Sequence, residues 1–390
     1  MSKIKKIYLD LCMCSVFRSV FEKPLFKYFS DFVKASVTDE KIKAYANMVA
    51  ETYLTGGSLT DAVKRVVFED ENPYVRFRAQ GREIPTVMEE AVKRELSAFH
   101  AFSSLSVKDF GEELKTDSLS AFTSYDCDLA VEYEERMKNI RKHGYGIFSY
   151  HPMFRLDDGR NLCPILSPDK TTLDSFIGYE SERALVVENT VAFIGGKPAL
   201  NALLYGDAGT GKSSTVKALI NEFFDEGLRL IELRKDQLAF LPEIMGRISE
   251  NPLKFIIFID DLSFNKNDDN FSMLKAALEG SASAKAENAL IYATSNRRHI
   301  VKETFDDRDG GDVHRNDTMQ EKLSLSERFG LAVSFFKPSK QLYLEIVTEL
   351  ARRNGVHMDK KELDLRAEEF ALRRGNRSAR CEEQFIKSLL

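Results

Sequence analysis

The chain has 390 residues, and its 56 Lys plus Arg against 61 Asp plus Glu leave a formal net charge of −5, which is too small for an acidic tail or a general polyanion binder. With 43% hydrophobic and 30% charged residues, 21 Gly and 10 Pro, the composition is that of a folded protein and excludes disordered, collagenous and low-complexity chains. At roughly 100 to 200 residues per domain the length allows two or three domains, and we expect three.

Residues 1–150 are predicted to form a helical domain. Apolar side chains recur there at intervals of three and four residues, which is the spacing of amphipathic helices. The segments with this spacing are residues 40–54, 58–68, 86–102 and 125–142. The basic and apolar N-terminus is interrupted by Asp10 and Arg18, so we expect an amphipathic helix there rather than a signal peptide. The phenylalanines expected in the core of this domain are Phe17, Phe21, Phe26, Phe29 and Phe32.

Turn signals are dense between residues 141 and 170 and predict a domain boundary. In residues 151–338, short β runs alternate with amphipathic helices, which is typical of a parallel sheet with helices on both faces. The β runs are residues 202–205, 228–233, 255–259, 289–293 and 331–335. After Pro338 the pattern is helical over residues 341–353, 360–373 and 378–390, which predicts a helical lid domain at residues 339–390.

The cysteines and the hydropathy pattern bear on location. The five cysteines are scattered and form neither a C-x-x-C pair nor a Cys/His cluster, which is typical of a reducing compartment. No window approaches 18 uninterrupted apolar residues, so we expect no membrane span. The expected location is the cytoplasm.

Residues 206–213 have the sequence GDAGTGKS, a full match to the phosphate-binding pattern G-x-x-x-x-G-K-[ST]. Glycines let backbone N–H groups point inward around a β-phosphate, and the following helix presents its positive end. Lys212 would reach the β- and γ-phosphates of ATP, and Ser213 would place its hydroxyl on Mg²⁺. A strand-like segment before the pattern and a helix-like one after it favour this interpretation over a plain glycine turn. The predicted nucleotide-binding residues of this loop are Gly206, Asp207, Ala208, Gly209, Thr210, Gly211, Lys212, Ser213 and Ser214.

Polar residues follow two buried β runs at the sheet edge where α/β proteins bind ligands. The apolar run 255–259 ends at two acids, as a central parallel strand beside a ligand would. Asp260 is predicted to be the outer-sphere Mg²⁺ partner, and Asp261 to polarise the attacking water. The alternative for both is an N-cap of a following turn. Asn296, beyond the run 289–293, is predicted to hold that water or a γ-phosphate oxygen, unless it only caps its loop.

Arg328 stands just before the last β run, with Phe329 and Gly330 after it. We expect it to act on the ATP of a neighbouring subunit, where it would neutralise the charge that develops on the transferred phosphoryl group. The alternative is a surface ion pair with Glu327 or Asp317.

These motifs, in this order and followed by a helical lid, resemble the AAA+ ATPase module. A closer resemblance is to a prokaryotic family of predicted AAA+ ATPases described as a domain of unknown function. It is carried by residues 255–264 (FIIFIDDLSF), 292–299 (YATSNRRH), 322–330 (KLSLSERFG) and 374–380 (RGNRSAR). It runs from about Phe154 to the C-terminus. It implies a P-loop α/β sandwich of three layers, whose five-stranded parallel sheet has the order 5-1-4-3-2.

The resemblance also implies roles for the residues of the sheet edge. Walker A lies at residues 206–213 and Walker B at Asp260 and Asp261. Asn296 becomes sensor 1 and Arg328 the arginine finger. Many AAA+ proteins end Walker B in Asp-Glu, whereas the second carboxylate here is one methylene shorter. We therefore expect unchanged ATP binding and slower turnover.

The adenine slot and the lid are assigned by the same resemblance. The adenine would lie against Ile177 and Gly178, ahead of the phosphate loop. Sensor 2 would come from the lid at Arg377, with Arg380 as its competitor one turn on.

Two functions fit these motifs. The first is an ATP hydrolase that assembles as a homo-oligomeric ring and drives the remodelling or loading of a macromolecular client chosen by its N-terminal helices. The alternative is a nucleotide-dependent binding switch, or a helicase-loader-like protein associated with nucleic acid, with little hydrolysis of its own. Arginines in residues 297–299 would contact a nucleic-acid backbone in the second case. The sequence names no client.

Overall fold

The computed structural model describes residues 1–262, 269–278, 286–296, 328–375 and 377–390. They pack as two compact units. The first unit comprises Met1–Tyr150 with Glu250–Leu253, and the second comprises His151–Ser249 with Lys254–Leu390. The predicted sheet domain (residues 151–338) and lid domain (residues 339–390) both fall in the second unit, so the boundary between them stays a prediction.

The first unit is built from helices, as its apolar spacing predicted. Its α-helices are α1 (Lys3–Cys12), α2 (Pro24–Lys34), α3 (Thr38–Tyr53), α4 (Leu59–Phe68), α5 (Pro73–Ala79), α6 (Thr86–Ser103), α7 (Val107–Leu114), α8 (Leu129–Lys138) and α9 (Ile140–His143). Short 3₁₀ helices cover Arg18–Glu22 and Gly146–Ser149.

Side-chain caps set where several of these helices begin. The Ser58 hydroxyl accepts a backbone N–H at the start of α4, and this satisfies one of the donors that every helix start leaves unpaired. The Asp128 carboxylate accepts the N–H of Val131 at 3.0 Å. The helix expected over residues 125–142 therefore begins only at Leu129, and it is divided at Asn139 into α8 and α9.

Aromatic rings form much of the first unit's core. Phe17, Phe26, Phe29 and Phe32 are at most 1% exposed, and Phe21 packs partly buried against the same core. The Phe17 and Phe99 ring centroids lie 5.4 Å apart at 78°, an edge-to-face arrangement that favours the quadrupoles of both rings. The phenylalanines that the sequence analysis placed inside are therefore core residues.

The second unit is organised on a 7-stranded sheet with the order β2-β1-β4-β5-β6-β3-β7. Its strands are β1 (Met153–Leu156), β2 (Leu162–Pro164), β3 (Ala202–Gly206), β4 (Leu228–Leu233), β5 (Lys254–Ile259), β6 (Ala289–Ser295) and β7 (Leu331–Phe335). From β4 to β7 the neighbours are parallel. The five predicted strands are thus present in the predicted order, with β3 between the strand that precedes Asn296 and the strand that follows Arg328.

Strands β1 and β2 correct the expectation of a five-stranded sheet. Strand β1 pairs in parallel with β4, and β2 pairs antiparallel with β1 at the sheet edge. The turn between them is held by Asp157, whose carboxylate accepts the N–H of Asn161 at 2.7 Å. The sequence analysis predicted only turns here. The two strands have four and three residues, and segments so short carry little periodicity of their own.

Helices cover both faces of the sheet, so the second unit has three layers. Every residue of β5 after Lys254 is fully buried, which in a strand requires cover on both sides. The helices of this unit are α10 (Glu180–Ile194), α11 (Lys212–Phe223), α12 (Leu241–Ile248), α13 (Asp269–Leu278), α14 (Lys340–Arg353), α15 (Lys360–Arg374) and α16 (Ala379–Lys387). Helices α14, α15 and α16 share a small apolar core of their own. They are the helices predicted for the lid.

Within the described parts of the chain, no helix combines the length and the apolar character that crossing a membrane requires.

Candidate functional site

The loop between β3 and α11 passes so close to β7 that its first glycine has no substitute. Gly206 has φ +135°, and a Cβ there would lie 2.1 Å from the Phe335 carbonyl oxygen. Gly209 and Gly211 also have positive φ, at +77° and +87°, values that residues with a Cβ rarely adopt. The glycines of the predicted phosphate loop therefore give it a backbone path that other residues would block.

Lys212 begins α11 and turns its ammonium group back over this loop. Its Nζ donates to the carbonyl oxygens of Gly206 and Asp207 at 3.2 and 2.6 Å, and to Asn296 Oδ1 at 3.4 Å. Only 6% of the residue is exposed. Burial lowers the pKa of Lys212, and nearby carboxylates oppose this effect. The cation is held at the carboxyl edge of the sheet, where an anionic ligand would meet it.

Ser213 and Asp260 are in direct contact. The Ser213 hydroxyl donates to Asp260 Oδ1 at 2.5 Å, and Thr294 Oγ1 donates to the same oxygen at 2.5 Å. The two residues predicted to serve Mg²⁺ thus lie side by side, although they come from different elements. Thr294 was missed by the sequence analysis. It comes two residues before Asn296, and this spacing puts two side chains on one side of an extended segment, which was a usable signal.

These oxygens suit the ion that the sequence predicts. Hydroxyl and carboxylate oxygens are hard ligands of the kind Mg²⁺ prefers, and Mg²⁺ is usually bound by one or two protein groups together with substrate phosphates. In the described parts of the chain, no group of three or more His, Cys, Asp or Glu forms a metal cluster. The donor set fits a metal shared with a phosphate ligand.

Asp261 and Asn296 are also brought together. Asn296 Nδ2 donates to Asp261 Oδ1 at 2.8 Å, and the Asp261 N–H donates to Thr294 Oγ1 at 2.9 Å. Asp261 has φ 50°, an uncommon value for a residue other than glycine. Asn296 bridges Lys212 and Asp261, so it does more than cap a loop. Residues 263–268 lie outside the described residues, so the N-cap alternative for Asp261 stays open.

A cavity of about 290 Å³ opens beside the phosphate loop. Its walls include Gly209 to Gly211 with Ser214, the Phe176 and Ile177 side chains ahead of β3, and Ile346 and Leu350 of α14. Charged and polar side chains line it as well, among them Arg183, Arg380 and Glu382. A cavity that combines apolar walls with such polar groups can hold a small polar ligand. Ile177 lines this cavity, and its contact with an adenine stays a prediction.

Gly178 supports this cavity without lining it. It has φ +73°, and a Cβ there would lie 3.0 Å from Ile346 Cδ1 of α14. The Arg183 guanidinium donates to the Gly178 carbonyl oxygen and lies 4.9 Å from the centroid of the Phe176 ring. Arg183 is a further residue of this site that the sequence analysis did not single out.

The remaining loop residues have different surroundings. Asp207 accepts the Lys337 N–H at 2.8 Å, and the Thr210 hydroxyl donates to the Asp207 carbonyl oxygen at 2.9 Å. Ala208 is exposed. These contacts tie the loop to the segment that follows β7.

The structure separates the two lid arginines. Arg377 lines another cavity, together with Lys337 and Leu372. Arg380 lines the cavity beside the phosphate loop, and a Cβ on Gly209 would lie 3.6 Å from Arg380 Cβ. The arginine that the structure brings to the phosphate loop is therefore the competitor, Arg380, rather than Arg377.

Arg328 lies near the amino end of β7, whereas the phosphate loop lies at the carboxyl end of the neighbouring strand β3. Strands β3 and β7 are parallel, with Leu331 opposite Ala202 and Phe335 opposite Gly206. Arg328 precedes the start of β7, whereas the phosphate loop follows the end of β3. The strand length between these edges is about 13 Å, at about 3.3 Å per residue. Residues 297–299, which include the arginines proposed to contact nucleic acid, lie outside the described residues, and so do residues 322–327 of the motif that contains Arg328.

Comparison with known proteins gives two kinds of result. The chain is similar to the Holliday junction branch migration motor RuvB of Thermotoga maritima, at 14% identity over 56% of this chain and 72% of that one, with a TM-score of 0.34. It is also similar to AMPPCP-bound DnaA from Aquifex aeolicus, at 19% identity over 57% of this chain and 65% of that one, with a TM-score of 0.39.

The comparison with curated proteins found no match. The family model described as "Protein of unknown function (DUF815)" matches residues 149–390, which is more than half of the chain. Its range takes in the sheet, the phosphate loop, the paired acids and the lid helices. The chain therefore belongs to the DUF815 family.

Proposed function

We propose that this protein is an AAA+ ATPase, which binds ATP with Mg²⁺ and hydrolyses it to remodel or load a macromolecular client. One observation carries the proposal. Lys212, Ser213, Asp260, Asp261 and Asn296 come from three separate segments and are joined by hydrogen bonds at the carboxyl edge of one parallel sheet. A cation, a metal-binding oxygen pair and an acid beside an amide are the parts that phosphoryl transfer requires.

The residues proposed to bind the nucleotide fall into two groups, one that holds the phosphates and one that holds Mg²⁺. The backbone N–H groups of residues 209–211 and the positive end of α11 would hold the β-phosphate, and the Lys212 ammonium would lie against the β- and γ-phosphates. Ser213 and Asp260 would hold the Mg²⁺, which neutralises phosphate charge when bound. The burial of Lys212 strengthens its attraction for an anion because less water screens it.

The hydrolytic half of the site is Asp261 with Asn296. Asp261 would accept a proton from the attacking water, and Asn296 would orient that water. The hydrogen bond between the two side chains keeps the carboxylate near its amide partner. Because the Asp261 side chain is one methylene shorter than a glutamate, we expect turnover slower than that of a site with a glutamate there.

The lid and the base slot complete the proposal. The apolar walls at Ile177, Ile346 and Leu350 would enclose the adenosine. Arg380 is the lid cation proposed to contact the phosphates, since it lines the same cavity as Gly209. Closure of the lid on ATP would then couple the nucleotide to the position of α14 to α16.

Arg328 is proposed to act between subunits. It lies at the amino end of β7, away from the phosphate loop of its own subunit. An assembly in which the Arg328 of one subunit faces the ATP of its neighbour would therefore give it a role. This requires a homo-oligomer, most simply a closed ring of identical interfaces.

Calorimetry with Mg-ATP and a phosphate-release assay test the proposal. Lys212→Ala should weaken ATP binding by about thirtyfold or more, because a buried cation that contacts the phosphates is lost. Asp261→Asn should keep ATP binding and reduce phosphate release by about a hundredfold. The matched control is Lys217→Ala, on the same helix but paired with Glu232 at 3.7 Å, and it should change neither quantity.

The possible outcomes separate the alternatives. ATP binding that is lost in Lys212→Ala, without phosphate release by the wild type, would support the nucleotide-dependent binding switch instead. A folded wild-type protein with no heat of binding for ATP would overturn both.

A further inference from the structure

Thr294 is a buried threonine near the carboxyl end of β6, beside the two acids that follow β5. The pairing of these parallel strands places Ile259 opposite Ala293. Asp260 and Thr294 are the next residues along the two strands, so the pairing brings them together. Only 2% of Thr294 is exposed. The residue is thus fixed beside the point where the chain leaves β5.

The Thr294 hydroxyl group contacts both acids, and the direction of each hydrogen bond is determined. Thr294 Oγ1 accepts the backbone N–H of Asp261 at 2.9 Å, and a backbone N–H can only donate. The single hydrogen of the hydroxyl group is then left for Asp260 Oδ1, at 2.5 Å. One hydroxyl group therefore holds the side chain of the first acid and the backbone of the second.

The Thr294 backbone adds a contact on the other side of Asp261. Its carbonyl oxygen accepts the N–H of Leu262 at 2.7 Å. Asp261 lies between the two N–H groups that Thr294 holds, and its φ of 50° is uncommon for a residue with a Cβ. Backbone of this kind persists only where surrounding contacts hold it. The two bonds to Thr294 are contacts that do so.

The bond to Asp260 bears on the proposed metal site. Asp260 Oδ1 also accepts the Ser213 hydroxyl group at 2.5 Å. A hydroxyl oxygen that binds Mg²⁺ uses its lone pairs, so its hydrogen needs an acceptor elsewhere. Asp260 Oδ1 is placed to be that acceptor, and Thr294 fixes its position. Groups that orient metal ligands in this way commonly change metal affinity by about 10- to 100-fold.

The bonds to the backbone bear on the proposed hydrolytic pair. The φ of Asp261 sets the direction in which its side chain leaves the chain. In that direction, Asp261 Oδ1 accepts Asn296 Nδ2 at 2.8 Å. The contact between this acid and its amide partner thus depends on the backbone that Thr294 holds.

We propose that Thr294 is a positioning residue for both halves of the nucleotide site. Through Asp260 it supports metal binding, and through the backbone of Asp261 it directs the acid that accepts a proton from water. Thr294 itself touches neither the nucleotide nor the metal in this role. The inference rests on the proposed function, because the two acids receive their roles there.

The first measurement is ADP affinity of the full chain by calorimetry, once with excess Mg²⁺ and once with EDTA. Thr294→Val keeps the shape of the side chain and removes its hydroxyl group. It should lower the ADP affinity in Mg²⁺ by about tenfold or more, and it should leave the ADP affinity in EDTA unchanged. Thr294→Ser keeps the hydroxyl group and should bind ADP as the wild type does under both conditions.

The second measurement is phosphate release at saturating ATP and Mg²⁺. Excess Mg²⁺ restores occupancy of the metal site, so a remaining loss of kcat reports the direction of Asp261. Thr294→Val should lose about tenfold to a hundredfold in kcat, which is the cost of a small misplacement of a reacting group. Thr294→Ser should recover most of the wild-type rate.

Thr60→Val is the matched control for the loss of a buried hydroxyl group. Thr60 is fully buried in the first unit. Its Oγ1 accepts the Tyr125 N–H at 3.0 Å and donates to the Ser103 carbonyl oxygen at 3.1 Å. It thus makes the same pair of bonds as Thr294. Thr60→Val should lower stability, and it should change neither the ADP affinities nor kcat.

Each result has a distinct meaning. Wild-type ADP affinity and wild-type kcat in Thr294→Val would overturn the inference and leave the proposed function intact. Equal losses in Thr294→Ser and Thr294→Val would also overturn it, because the hydroxyl group would then not matter. A folded wild type that binds no ADP overturns both proposals. If Thr294→Val does not fold, Thr294→Cys replaces it with the same expected losses, since a thiol is only a weak donor.

Discussion

The polar side chains at the carboxyl edge of the sheet hold one another in place. Asn296 contacts Lys212 and Asp261, and Thr294 contacts Asp260 and the backbone of Asp261. Because these groups share partners, removing one leaves another unsatisfied. Effects of single substitutions here will therefore not add, and isosteric changes such as Asp261→Asn are the most informative.

Gly206→Ala tests the close approach of the phosphate loop to β7. The new Cβ would lie 2.1 Å from the Phe335 carbonyl oxygen at a φ of +135°, so we expect a loss of about 3 kcal/mol or more in unfolding free energy. The control is Gly246→Ala, on an exposed turn of α12 with nothing within 4 Å of its Cβ position. It should stabilise by about 0.5 to 1 kcal/mol. Denaturant unfolding measures both, and equal effects would contradict the expectation.

Glu382, in the first turn of α16, is a buried carboxyl group with 1% of the residue exposed, and Glu382→Gln tests whether it binds a proton. Because burial raises the Glu382 pKa from 4.5 to about 8, the folded chain binds more protons than the unfolded chain between these values. The stability of the wild type should therefore fall as the pH rises through this range. Glu382→Gln lacks this loss, so its advantage should grow by about 3 kcal/mol between pH 5 and pH 7.5. Unfolding curves at both pH values measure it, and a constant difference would show that Glu382 is ionised in the folded state.

At the scale of elements, helix boundaries follow from side chains that act locally, and packing follows from periodicity. The predicted helix over residues 86–102 is α6, one residue longer. Its apolar face supplies Phe99 to the aromatic core, where it meets Phe17 and Phe26 with centroids 5.4 and 5.5 Å apart. The sequence showed that this face is buried, but the partners of each ring come from distant segments.

Phe99→Ala should destabilise the first unit by about 3 to 5 kcal/mol, since a fully buried ring is removed and leaves a cavity. Val87→Ala, on the same helix but with 75% of the residue exposed, should change stability by less than about 0.5 kcal/mol. Thermal unfolding of both variants checks the contrast. A small effect of Phe99→Ala would mean that the core around α6 can close over the gap.

At the scale of the whole molecule, the phosphate loop lies at the carboxyl end of β3, and Arg328 lies at the amino end of the neighbouring strand β7. The parallel pairing of β3 and β7 fixes this arrangement. The phosphate loop and Arg328 of one subunit are thus separated along the strands, and in a homo-oligomer identical subunits could complete one another's sites.

Mixing two inactive variants tests this arrangement. Lys212→Ala should lack ATP binding, and Arg328→Ala should bind ATP without hydrolysing it. In a mixed assembly with equal amounts of each, about a quarter of the interfaces combine an intact phosphate loop with an intact Arg328 from the neighbour. Phosphate release should then reach about a quarter of the wild-type rate, well above that of either variant alone. Activity no greater than the sum of the two variants would exclude an arginine shared between subunits.

The sequence alone determined the five parallel strands, the phosphate loop and the acids beside it, because glycine spacing, apolar runs and polar strand ends are local patterns with one structural meaning. The strand order came from the resemblance to the AAA+ module and not from these local patterns. Only the tertiary structure brought Arg380, and not Arg377, to the cavity beside the phosphate loop, added β1 and β2 to the sheet, and buried Glu382 at that cavity. Each of these depends on which distant segments pack together. Residues three positions apart in the sequence line different cavities here, and spacing along one chain segment does not contain that information.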